Sequence, residues 1–346
     1  MTALGLYGRD IAELLAPQGP RRQSLPGFDA GYVDIVDYIV RCTHRIWEAK
    51  DVGLIATHYA PDIVIHTMAG PITGMAGVIA NTARTLSAFP DRTLIAEAVI
   101  WADAGDGGYL SSHRITSLAT NSGTSEFGAA TGRRVSFTTV ADCLCRANLI
   151  VEEWLVRDNS AIVLALGLAP RAVAAAQAAA DTGPPAAWRA AAMASLADAA
   201  PTPFPNDVLP PPSDAPAFAH ALFDAIINHR RFGMVRDVYS PAVRWSGPGN
   251  RRLFGWGEVT GWYTALIGSF GDLVVRVDHV AAVDDEIAVR WSATGHHDGT
   301  ALYGPPSDRA VYLLGVTHWR ITGGRVAEET TVFDEIALLR QIEGGR

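Results

Sequence analysis

The 346-residue sequence predicts an α+β protein made of two tandem cone-shaped α+β barrels, each a curved antiparallel sheet with packed helices. Three observations carry that expectation. Residues 109–158 divide into three β-runs, 109–118, 134–146 and 150–156, rich in Val, Thr, Ser and Phe. The Asn121-Ser122-Gly123 and Thr131-Gly132 turns and the two-residue Ala147-Asn148 hairpin separate them. Amphipathic helices precede them, and strands this long curl into a half-barrel that helices close over a pocket. After an Ala/Pro-rich break, the same order of elements runs a second time.

Taken in order, residues 1–27 form an N-terminal extension whose one amphipathic segment, 10–15, ends at Pro17 and Gly19 and is expected to pack on the first domain. That domain, 28–168, opens with a helix over 30–50, where Tyr32, Ile35, Val36, Ile39, Val40, Ile46 and Trp47 recur at helical spacing. A shorter helix, 51–58, leads through Tyr59-Ala60-Pro61-Asp62 into a strand at 63–66. Gly74 starts a helix through Ala88, stopped by Phe89-Pro90-Asp91 because proline cannot continue a helix and biases its predecessor to extended geometry. A strand at 94–102 and a turn at 103–108 follow. Residues 169–213 are Ala- and Pro-rich, which favours one or two linker helices and an extended polyproline arm.

The second domain, 214–346, replays the first. Residues 215–230 are again an amphipathic helix, Asp237-Val238-Tyr239-Ser240-Pro241 echoes His58-Tyr59-Ala60-Pro61, and 255–270 repeats 74–89. Without a gap, 113–123 lies over 289–299, which sets His113 on Val289 at an offset of 176. Glu152-Glu153 then recurs as Glu328-Glu329, and Asp158 as Asp334.

A formal net charge of -8 and a pI near 5.7 argue against a nucleic-acid surface, which needs clustered Lys and Arg. Three cysteines occur, and Cys143 and Cys145 sit two apart on one strand, where a normal disulfide cannot form; a reducing cytoplasm fits. The N-terminus lacks a charged start, apolar core and cleavage site, and no apolar run reaches the roughly 18 residues of a membrane span. A cytoplasmic protein without membrane partners is the expectation.

The order of helix, Tyr-x-Pro strand and Gly-started helix ending in Ala88-Phe89-Pro90-Asp91 resembles the SnoaL-like polyketide/ester cyclases. So do Glu126-Phe127-Gly128, Thr131-Gly132-Arg133-Arg134-Val135 and Ile150-Val151-Glu152-Glu153-Trp154. These belong to the nuclear transport factor 2-like superfamily of cone-shaped barrels. The second repeat shares the resemblance through Arg290-Trp291, Gly295 to Gly299, Gly304-Pro305-Pro306 and Gly323-Gly324-Arg325-Val326. The resemblance implies proton transfer next to a carbonyl, no cofactor, and a small apolar or aromatic substrate. It also implies a pair of barrels, built here within one chain as a pseudo-dimer, with a further homodimer left open. The cyclases' carboxylate and its polar helpers fall at Leu155, Thr139 and Ala141, and at Thr331 in the second repeat, none of them ionisable.

Strand alternation supplies a substitute, because residues two apart share a face. If Leu155 and Ala141 face the cavity, so do Glu153, Val135, Phe137, Thr139 and Cys143. Glu153 is then an inward carboxylate suited to acid/base work, unless it lies at the strand's wet end or pairs with Arg114. Asp142 faces outward beside Arg134 and Arg146, as a solvated or interface salt-bridge set. His66 ends the first strand close to where steroid isomerases of the superfamily carry their base, and His113 offers a second imidazole or a core hydrogen bond. His66, His113 and Glu153 are the catalytic candidates. Tyr59, Thr139, Trp47, His297 and Trp291 are the substrate-binding candidates, with Tyr59 alternatively a core ring whose hydroxyl is paired, His297 a turn residue and the tryptophans core. His296-His297-Asp298 is poor as a metal site, since consecutive strand residues point to opposite faces, and no metal is expected. Two functions stand: a cofactor-independent cyclase, isomerase, dehydratase or retro-aldol lyase, or a non-catalytic tandem barrel that binds a hydrophobic ligand.

Overall fold

The computed structural model describes residues 11–16, 18–181, 187–197 and 208–344. They fall into two compact units that divide near residue 167, with short pieces at 68–70 and 158–160 grouped with the second.

The first unit contains α1 (Ile11–Leu15), α2 (Ile35–Trp47), α3 (Ile55–His58), β1 (Tyr59–His66), β2 (Ile72–Thr73), α4 (Gly74–Ala88), β3 (Thr93–Asp103), β4 (Tyr109–Thr120), β5 (Arg134–Arg146), β6 (Leu149–Arg157) and α5 (Asn159–Ala165). The sheet order is β2-β1-β6-β5-β4-β3. The β1–β6 pair is parallel and the other neighbours antiparallel, so the sheet is mixed where the turns and hairpin predict an antiparallel one. Local chemistry explains the bounds. Asp34 caps α2 by accepting from the Asp37 amide at 2.8 Å, which starts the helix five residues later than periodicity suggests. Ala147 and Asn148 both take left-handed φ (45° and 71°), as a two-residue hairpin requires. Leu14, Leu25 and Phe28 are buried in the core, so the extension packs on this unit.

The second unit contains α6 (Pro170–Ala179), α7 (Ala187–Ala197), α8 (Ala215–Phe223), α9 (Met234–Val238), β7 (Tyr239–Gly247), β8 (Arg251–Phe254), α10 (Gly255–Ile267), β9 (Val274–Val283), β10 (Glu286–His296), β11 (Ala310–Thr322), β12 (Arg325–Phe333) and α11 (Glu335–Glu343). Its sheet order, β8-β7-β12-β11-β10-β9, copies the first, including the one parallel pair. Helix α8 ends at Phe223, where a π-turn over 224–228 replaces the expected helix to 230. The described helices of the Ala-rich segment, α6 and α7, pack on this unit. Arg171 pairs with Glu343 at 2.6 Å, and Arg340 reaches back to Asp181. The proline clusters at 184–185 and 201–205 lie outside the described residues.

One contact is common to both units. A Cβ at Gly123 would stand 2.2 Å from the Ser87 carbonyl oxygen, and one at Gly299 would stand 1.9 Å from that of Gly268. Only glycine lets the β4 and β10 exit loops press this closely on the ends of α4 and α10.

Candidate functional site

The inner face of the first sheet, with α2 and α4 over it, encloses a cavity of about 80 Å³. Residues two apart on β6 supply one wall: Glu153 at one end, then Leu155, then Arg157. Ala141 and Thr139 stand opposite on β5, His113 and Ile115 on β4. Tyr59, Trp47, Thr82 and Arg92 complete the enclosure. Five sequence candidates, Glu153, His113, Tyr59, Thr139 and Trp47, therefore surround one space.

Glu153 is 5% exposed, and its Oε2 is buried without a hydrogen-bond partner among the described residues. Burial pushes its carboxyl up to about 7, against the downward pull of the neighbouring Tyr59 hydroxyl and with a smaller upward push from Asp142. The thiols around it stay protonated, since burial raises Cys42 to about 12 and Cys143 well above its ordinary value. His113 is pushed down to about 3 by burial and by His44, so its ring is neutral. The Thr43 hydroxyl donates to the Ile39 carbonyl at 2.7 Å, which leaves it an acceptor toward His113 Nδ1 at 3.4 Å. The proton is accordingly assigned to Nδ1, and the buried Nε2, without a partner among the described residues, is left as an acceptor on the cavity wall.

Arg92 and Arg157 were not singled out from sequence. The alternation that turned Glu153 and Leu155 inward also turns Arg157 inward. Arg92 had only the helix-stopping Phe89-Pro90-Asp91 beside it as a signal. It is 4% exposed, donates through Nε and Nη2 to Ser117 Oγ (3.1 and 2.8 Å), and lies 4.3 Å from the Trp47 ring centroid. Burial, helped by Arg157, pushes its guanidinium down to about 9, still charged at neutral pH.

Three expectations are corrected. His66 does not line the cavity. Ile63 and Ile65 take the inward positions of β1, so His66 falls on the other face, where Nε2 meets Glu152 Oε1 at 2.9 Å and the ring stacks on Trp154. His297 is fully buried in the exit loop of β10. Its backbone carbonyl accepts from the Ser307 amide and its Nδ1 lies 3.1 Å from Ser307 Oγ, the position that Asn121 holds in the first unit. Asp142 is 2% exposed rather than solvated, and Arg146 turns to Asp106 instead.

Trp291 lines the second unit's interior but fills it. Relative to the first unit, Ile115 becomes Trp291, Arg157 becomes Phe333, Asn81 becomes Trp262 and Thr82 becomes Tyr263. The remaining cavity is about 20 Å³, room for about one water. Glu329, the counterpart of Glu153, accepts from Trp245 Nε1 (2.6 Å), Tyr239 OH (2.7 Å), Thr331 Oγ1 (2.8 Å), Trp319 Nε1 (3.0 Å) and Tyr263 OH (3.1 Å). It is a satisfied core carboxylate.

Among the described residues no three His, Cys, Asp or Glu side chains form a metal-holding group, and no single helix is long and apolar enough to cross a membrane.

The model of the SnoaL-like polyketide cyclase family matches residues 38–166 and again 218–342. Among solved structures, the chain is similar to a SnoaL-like protein from Jannaschia Sp. CCS1 (26% identity, covering 33% of this chain and 80% of that one, TM-score 0.32). It is similar to AclR from Streptomyces galilaeus (20% identity, 38% and 96%, TM-score 0.34). It is also similar to wild-type IdmH from Streptomyces antibioticus (22% identity, 38% and 97%, TM-score 0.33). Among curated proteins there is no match.

Proposed function

This chain belongs to the SnoaL-like polyketide cyclase family in both of its halves, and on that premise we propose that its first unit catalyses proton transfer on a ring-bearing carbonyl compound, with Glu153 as the proton carrier. The observation that carries the reading is the buried Oε2 of Glu153, without a partner among the described residues, on the wall of the larger of the two cavities. A carboxyl group poised near 7 is part ionised at neutral pH, so it can both take a proton and return it. In the forward step, Glu153 accepts the proton of a carbon next to the carbonyl and the C–H electron pair moves toward the carbonyl oxygen. Return of the proton to another carbon isomerises the molecule. Attack of the enolate carbon on a second carbonyl closes a ring, and Glu153 then returns its proton to the new alkoxide.

His113 Nε2 serves as a neutral acceptor that orients a substrate hydroxyl, since an imidazole held at about 3 is too weak a base to share the proton transfer. Leu155, Ile115 and Trp47 supply an apolar wall that fits a flat ring. Glu153 thus does from two residues away what the family's carboxylate does from the place that Leu155 occupies here. We also place the protein in a reducing compartment, on the strength of three free, buried cysteines.

The test is hydrogen–deuterium exchange at carbon, in D₂O, across a panel of cyclic ketones and 1,3-diketones, with wild type and Glu153→Gln. Wild type is expected to accelerate exchange of at least one ring ketone, with Glu153→Gln slower by about 10²-fold or more. Equal rates in the two proteins would remove Glu153 from the chemistry.

A further inference from the structure

The two units carry their own control for one buried charge. Asp91 and Asp272 do the same work in the two repeats, accepting from the amides of Thr120 and His296, which correspond at the offset of 176. The next residue is Arg92 in the first unit and Leu273 in the second. Ser117, which accepts from Arg92, corresponds to Ala293. Leu273 and Ala293 both line the small second cavity and are buried. The fold at this place is therefore built as readily from an apolar pair, and the first unit has an arginine there that the fold does not require.

Burying a guanidinium costs free energy unless an anion meets it. Among the described residues Arg92 meets none. Its hydrogen bonds go to the neutral Ser117 hydroxyl, its flat faces lie on Trp47 and Phe137, and Nη1 donates to no described residue. Arg157 enters the same cavity and adds positive charge, partly offset by its ion pair with Glu126. Glu153 lies at the other end of the wall, four residues along β6 from Arg157, or about 13 Å of strand.

We propose that Arg92 is the anchor for an anionic oxygen of the substrate, a carboxylate or an ionised phenol, so that the molecule spans the cavity with its charged end at Arg92 and its reacting carbon at Glu153. The planar guanidinium suits a two-oxygen group, and the Trp47 and Phe137 rings beside it suit an aromatic or unsaturated frame carrying that group. The inference rests on reading this cavity as the substrate site. It narrows the substrate class from ring-bearing carbonyl compounds to ring-bearing acids and ionised phenols.

The test uses the full chain and three probes, 2-naphthoate, 4-nitrophenolate and the neutral 2-naphthamide, by calorimetric titration near pH 8, where both anions are ionised and Arg92 keeps its charge. Wild type is expected to bind at least one anionic probe about tenfold or more tighter than the amide. Arg92→Leu combined with Ser117→Ala, the second unit's own pair, is expected to reduce that preference to about twofold or less while still binding the amide. Arg92→Met drops the charge, keeps the stem, and reads the same way if the double variant melts early. A wild type without preference for either anion, or without binding of any probe, overturns the proposal, as does an Arg92 variant that keeps the full preference. Glu153→Gln separates the two readings. It is expected to lose exchange and keep the anion preference, so a catalytic cavity indifferent to charge would leave Glu153 in place and remove the anchor.

Discussion

Glu153 and Glu329 hold the same place in the two units, yet Glu153 Oε2 has no hydrogen-bond donor among the described residues while Glu329 is ringed by two tryptophans, two tyrosines and a threonine. The difference follows from what surrounds them. Cys143 faces Glu153 across the strand pair where Trp319 faces Glu329, and Thr82 stands where Tyr263 stands. Small neighbours leave one carboxyl oxygen without a donor beside open space, and large ones supply donors and use the space up.

That buried carboxyl makes stability depend on pH in a defined window. Glu153 sits at about 7 when folded, against an ordinary value of 4.5. Between those values the native state holds a proton that the unfolded chain has lost, so the contribution is fully present below about 4.5, falls as pH rises, and is gone above about 7. The gap corresponds to about 3 kcal/mol. Buried neutral histidines such as His113 tilt the wild-type curve the opposite way below 6.5, so the difference between variants is the quantity to follow. Glu153→Gln is expected to match wild type near pH 4.5 and to exceed it by up to about 3 kcal/mol at pH 8, by urea unfolding. A difference that does not change with pH would contradict the assignment.

His113→Val copies Val289, the residue at the same register in the second unit. It removes a buried nitrogen that has no partner among the described residues, so melting is expected at or above the wild-type temperature. Exchange at carbon is expected to slow about tenfold through loss of one orienting hydrogen bond. Scanning calorimetry and the exchange assay check the two halves.

Glu329→Ala leaves two indole N–H groups and two phenols without their acceptor. Breaking a buried network of this kind costs about 3–5 kcal/mol. Unfolding of the second unit is expected to shift by that amount, with exchange by the first unit unchanged below the new transition.

His66→Ala removes an imidazole on the face away from the cavity, paired with a Glu152 that is 39% exposed. Its effect on exchange is expected to stay within about twofold, and its effect on stability below about 1 kcal/mol. A drop comparable to that of Glu153→Gln would return His66 to the site.

Much of this was readable in the chain before folding was considered. β5 has the bounds its composition gave, α4 starts and stops where Gly74 and Phe89-Pro90 put it, and Glu153 faces inward as alternation required. The same alternation places His66 opposite Ile65 and brings Arg157 in, so both are legible, although the strand-end place and family likeness of His66 point it inward and nothing else in the sequence singles out Arg157. Arg92 was not legible. It follows a turn, where no periodicity fixes the direction of a side chain, and its burial depends on Trp47 and Phe137 from distant elements. The filled interior of the second unit was half legible: its tryptophans were visible, but only packing decides whether a ring lines a space or occupies it.

The unequal hollows have a mechanical consequence. Compression favours whichever state of a protein traps less empty volume, and a chamber walled by side chains that do not meet collapses on unfolding, whereas a solid interior yields little. Hydrostatic pressure is therefore expected to melt the N-terminal half first, in fluorescence or NMR under pressure, and an anchored guest would delay it by occupying the void.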